Sequence, residues 1–141
     1  MLEAIREFGQ DGAVLLIGIA LGAAWVATIA ASNISYDQLD TADADRHVRE
    51  LLKATSDPIA VILLLSGALA ILGGALVAGL TALLSAFGFF TNRWTLAEPD
   101  RADESDRAAA PKKTQRAFAV SLTLVFTAVA AIAAAMLLFG V

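Results

Sequence analysis

DPIAVILLLSGALAILGGALVAGLTALLSAFGFF, residues 57–90, carries a charge at its first position and none afterwards. An ionised side chain at bilayer depth costs about 2.5–3.5 kcal/mol on insertion scales, so a charge-free stretch of this length is the mark of a segment that meets lipid. Asp57-Pro58 supplies the chemistry of a helix start: a carboxylate to cap free N–H groups, then a proline whose missing donor is harmless in the first turn. If helical throughout, 58–90 is about 33 residues and ~50 Å long, well beyond the ~30 Å of a hydrocarbon core.

Two paths fit that length. A single long helix needs no turn, whereas a hairpin turning at Gly73-Gly74 leaves arms of about 16 residues, marginally short for a crossing. With the N-terminus on the cytoplasmic side, the hairpin would also put the basic 93–116 segment on the far side with 33–57, against the tendency of Lys and Arg to stay in the cytoplasm. The expectation is therefore one continuous helix over 58–90.

Working outward, 12–32 is an unbroken apolar run of about 21 residues and 117–140 is another of similar length, each enough for one crossing. Small residues at Thr28-Ile29-Ala30-Ala31 would suit a signal peptidase. Against that reading, Glu3, Glu7 and Asp11 outweigh Arg6 and the apolar run is too long. Charged residues gather at 1–11, 36–57 and 93–116. Residues 1–11 read as an amphipathic lead-in at the membrane surface. Asp40 followed by Asp43 predicts a capped start for a short extra-membrane helix over 41–55. Residues 95–115, with Pro99, Pro111 and alternating charges, predict a flexible cytoplasmic linker. The fold class expected is an all-α integral membrane protein with three transmembrane helices and one short surface helix, in a bacterial inner membrane, with the N-terminus cytoplasmic and the C-terminus outside.

The totals agree with that class. Of 141 residues, 58% are hydrophobic and only 17% charged, with a mean hydropathy of +0.71. Cysteine is absent, which excludes disulfides, thiolate metal sites and cysteine nucleophiles. Nothing in the charge pattern resembles a nucleic-acid footprint.

Chemistry-bearing residues are sparse. Gly18-Ile19-Ala20-Leu21-Gly22 places two glycines four apart, where helix backbones can approach closely. Ser66, Ala70, Gly74 and Ala78 continue a small-residue stripe on the next apolar stretch; with Gly18 and Gly22 they are the predicted packing residues. Trp25 falls near the middle of the first run, where packing against neighbouring helices competes with contact to a lipid or a hydrophobic ligand. Trp94, beside a cluster of phenylalanines, is a predicted interfacial anchor and a second such contact. His47 and Asp43, four apart, could share a metal, but the surrounding acids follow no calcium-loop order, so a solvated helix face is expected. The apolar stretches hold no Asp, Glu, Lys, Arg or His to bind ions, relay protons or activate a nucleophile. No catalytic residue, metal or cofactor is expected. The sequence predicts a non-catalytic accessory subunit whose partners are the bilayer and a membrane protein, or another copy of itself. A holin-like pore and a small carrier or enzyme for a lipid-soluble substrate are the alternatives.

Overall fold

The computed structural model describes residues 1–95 and 109–140, with the side chains of 93–95, 109–117 and 119 outside the description. Helix α1, Leu2–Trp25, runs through a π-helical turn, Val26–Ala30, into α2, Ala31–Gln38. Helices α3 (Thr41–Leu72), α4 (Leu76–Thr95) and α5 (Ala109–Phe139) follow. No strand occurs among the described residues. Three helices are long and apolar enough to cross a membrane: Leu2–Gln38, Thr41–Leu72 and Val120–Phe139, with Leu76–Asn92 a shorter apolar helix.

The continuous helix expected over 58–90 does not form, because the chain reverses at Gly73-Gly74. Gly74 has φ +85°, a left-handed conformation that costs glycine nothing. Its N–H donates to Ile71 O (3.0 Å), and Ala75 N–H donates to Ala70 O (2.9 Å). This is the paired bonding of a Schellman motif, which satisfies the last carbonyls of α3 with backbone alone. Polar side chains are not needed, which is why a turn can hide in a sequence with no polar turn residue.

The helix start expected at Asp57-Pro58 is also corrected. Both residues lie inside α3, which begins at Thr41 with Asp40 accepting from Asp43 N–H at 3.1 Å, the cap foreseen from the sequence. The surface helix expected over 41–55 is thus the first half of a 32-residue helix. Its buried positions Ala44, Val48, Leu52, Ser56, Ala60 and Leu63 recur every three or four residues straight through the proline, with Ile59 beside them on the same face. That continuous stripe outweighs the one backbone bond Pro58 removes. The lead-in expected over 1–11 is likewise the first turns of α1, held where Gln10 Nε2 donates to Gly73 O at 3.1 Å. Helix α5 starts at Ala109, inside the region expected as linker, with Pro111 in its first turn. The rest of that linker lies outside the described residues.

Helix α1 packs on α3 and α5, and α4 packs on α3 and α5, closing a four-helix bundle. Each neighbouring pair is antiparallel. Ser66 Oγ reaches Ala13 O, Gly67 faces Gly79, and Asn92 reaches Thr123. The Leu2 end of α1, the Gly73-Gly74 turn and the Phe139 end of α5 therefore share one end of the bundle.

Small side chains fill the interior. Ala13, Ile17, Ala20 and Ala24 of α1 meet Ala60, Leu63 and Ala70 of α3, Ala78, Ala82, Ala86 and Phe89 of α4, and Ala130 and Ala133 of α5. A second cluster, Ala27, Val48 and Leu52 with Val120, ties the first half of α3 to the π-helical turn and to α5.

Candidate functional site

The glycines divide into two sets by what a side chain would meet. A Cβ on Gly9 would lie 2.8 Å from Leu69 O and 2.9 Å from Gly73 N, so α1 and α3 touch backbone to backbone there. Gly67 and Gly79 do the same between α3 and α4, where a Cβ on Gly79 would lie 2.9 Å from Gly67 O. At Gly88 a Cβ would overlap the Phe126 ring of α5. At Gly18 and Gly22 a Cβ would meet no atom within 4 Å, and both lie on the exposed side of α1.

This separates the predicted packing residues. Ser66, Ala70 and Ala78 are fully buried within the bundle, on two helices rather than along one. Gly74 makes the turn, not a packing face. Gly18 and Gly22 open outward, on the same face as the exposed Leu15, Ile19, Trp25 and Val26. The glycines that carry internal contact, Gly9, Gly67, Gly73, Gly79 and Gly88, do not stand out in the sequence because their partners lie on other helices. Only the turn at Gly73-Gly74 reveals that Gly67 and Gly79 face each other.

Trp25 is 60% exposed, so it does not pack into the bundle as its apolar setting suggested. The antiparallel register set by Ser66 and Ala13 brings it near the height of Ser56 and Asp57, where polar side chains begin on α3. It therefore stands level with the polar end of the apolar stretch of α3, while the apolar run of α1 continues past it to Ser32. The side chain of Trp94 lies outside the described residues.

Buried polar side chains bond across the interior. Ser66 Oγ donates to Ala13 O (2.9 Å), Ser85 Oγ to Phe126 O (2.7 Å) and Asn92 Nδ2 to Thr123 Oγ1 (2.6 Å), linking α3 to α1 and α4 to α5. Thr28 and Ser56 instead donate to carbonyls one turn back in their own helices, Ala24 O and Leu52 O. The hydroxyls of Ser66 and Ser85 thus donate to main-chain oxygens of a neighbouring helix, and those of Thr28 and Ser56 to main-chain oxygens of their own.

At the start of α3, Asp43 pairs with Arg46 at 2.8 Å, Tyr36 donates to Asp45, and His47 is exposed. No group of three or more His, Asp or Glu that could hold a metal occurs among the described residues. No family model matches the chain, and neither a curated protein nor a solved structure matches it.

Proposed function

We propose that this chain is an integral membrane protein of the cytoplasmic membrane that acts without catalysis, as an accessory subunit binding a membrane-protein partner through the outward face of α1. The observation that carries the reading is the pair Gly18 and Gly22, exposed and uncontacted among apolar neighbours. In lipid no hydrophobic force drives helices together, so association relies on close backbone approach at small residues. The bundle uses Gly9, Gly12, Gly67, Gly73, Gly79 and Gly88 for its own close contacts and leaves Gly18 and Gly22 of α1 open. A second copy on the same face, as in a self-associating protein, is the competing occupant.

Membrane residence is supported by large apolar side chains exposed around every helix, among them Leu15, Leu65, Leu84 and Ile132. Surfaces of this kind are rare on soluble monomers. The hairpin supports an orientation. Every lysine and arginine except Arg6 belongs to the segments joined at the end opposite the Gly73-Gly74 turn. The positive-inside rule then puts that end in the cytoplasm, with the Leu2 and Phe139 ends outside. The charge argument against a hairpin holds only for a cytoplasmic N-terminus; with the N-terminus outside, the asymmetry is stronger than in the three-crossing path. A reporter inserted near Ser105 should read cytoplasmic and one after Val141 non-cytoplasmic, and the reverse result overturns the orientation.

The experiment for the function compares Gly18→Leu and Gly22→Leu with wild type on native gels in mild detergent. Both variants should keep their helicity and thermal midpoint and lose a higher-mass species. If that species contains only this chain, self-association replaces the accessory role. If the variants and wild type migrate alike, the α1 face is not a contact and the reading fails.

A further inference from the structure

The apolar parts of the four helices differ in height. On α1 the stretch from Gly12 to Ser32 rises ~31 Å, and on α5 the charge-free stretch after Arg116, residues 117–139, rises ~35 Å, both enough for a ~30 Å hydrocarbon core. On α3 only 58–72 lies between Asp57 and the turn, ~22 Å, and on α4 Leu76–Asn92 rises ~25 Å before Arg93. The α3–α4 face is therefore ~5–8 Å short of a full core. Tilting cannot lengthen it, because tilt shortens the projection of a helix. A short face is met by thinning the bilayer, by snorkelling or by oligomerising.

What covers this face follows from its side chains. It presents Leu64, Leu65, Leu72, Leu80, Leu84 and Phe87, all exposed and bulky, while Gly67, Gly79 and Gly88 are turned inward and already occupied. Close helix docking in lipid favours small residues, so this is a surface for acyl chains, unlike the glycine face of α1. At its edge the exposed Lys53 can extend its stem toward phosphates, which fits a headgroup layer drawn inward. Resting on the membrane reading above, we infer that the α3–α4 face takes lipid with shorter acyl chains and thins the bilayer beside it.

The test reconstitutes the full chain in monounsaturated phosphatidylcholines with acyl chains of fourteen to twenty-two carbons. Thermal unfolding is followed by circular dichroism, and self-association by energy transfer between labelled copies at fixed protein-to-lipid ratio. Thermal stability should be greatest at fourteen or sixteen carbons and fall with each added length, while energy transfer rises as copies cluster to hide the mismatch. In a second arm, Lys53→Leu/Asp57→Leu lengthens the apolar face of α3 and should move the optimum to longer chains. A wild-type optimum at eighteen carbons or above, or no dependence on length, overturns the inference. Strong energy transfer in the shortest lipid that persists when Gly18→Leu and Gly22→Leu block the α1 face overturns it too, since another copy then covers the α3–α4 face. Failure of the chain to enter any of these bilayers is a different result, and it sinks the membrane reading itself.

Discussion

Gly79→Ala adds one methyl group where α3 and α4 cross, and its cost can be worked from the contacts. The new carbon would stand 2.9 Å from Gly67 O and 3.2 Å from Ile71 N, both main-chain atoms that cannot swing aside. Ordinary contact needs 3.4 Å or more, so the helices must separate by roughly half an ångström, loosening the layer of Ser66, Ala70, Ala78 and Ala82. Overpacking of this kind costs about 1–3 kcal/mol. Replacing glycine by alanine inside a helix returns about 1 kcal/mol, so the net loss should be about 0–2 kcal/mol, up to a thirty-fold fall in the folding equilibrium, and the gap to a glycine that gains the same propensity without contact about 1–3 kcal/mol. Gly18→Ala gains the same propensity and meets nothing within 4 Å, so it should be neutral or slightly stabilising. Reversible unfolding of both variants in mixed micelles, titrated with a denaturing detergent, reads the difference. Adding Gly67→Ala to Gly79→Ala should cost less than the sum of the two, because helices already separated leave room for the second methyl. Equal stability of Gly79→Ala and Gly18→Ala would refute the division of glycines into inward and outward sets.

Other outcomes follow from single contacts. Asn92→Ala should cost about 1 kcal/mol, and a cycle with Thr123→Val should give a coupling near 0.6 kcal/mol, measured by the same titration, since interhelical bonds in membrane bundles average about that value. Pro58→Ala should stabilise the chain, by up to ~3 kcal/mol, because it restores a main-chain donor in mid-α3; hydrogen exchange should then show slower exchange around residue 58. His47→Ala and Asp43→Ala should leave assembly on native gels unchanged, since His47 is exposed and the Asp43–Arg46 pair is a surface pair worth less than ~1 kcal/mol.

Helix content, the long apolar runs and the Asp40 cap were legible because they depend on neighbours within a turn or two along the chain. The reversal at Gly73-Gly74 was visible as a possibility, and what decided against it was the shortness of its arms and the basic charge it would carry across if the chain began in the cytoplasm. Neither sees the turn itself, where the Ala70 and Ile71 carbonyls take the N–H groups and no polar side chain marks the place. Asp57-Pro58 misled for the opposite reason: a strong local start signal yielded to the buried stripe from Ala44 to Leu63, whose partners lie on α1 and α5. Of the packing residues, Ser66, Ala70 and Ala78 were found by spacing, yet spacing could not tell that they face inward from two helices while Gly18 and Gly22 face outward. Which side of a helix is filled depends on topology, and topology here turned on one glycine.

The Schellman turn also bears on how such a chain could enter a membrane. Between Asp57 and Arg93 no ionised side chain has to be carried through the hydrocarbon, and the turn's own N–H groups are already bonded within the hairpin. Unsatisfied main-chain groups are a principal obstacle to moving a loop across lipid. A hairpin of α3 and α4 that forms first can thus slide in as a unit from the basic side, leaving its two ends where they began.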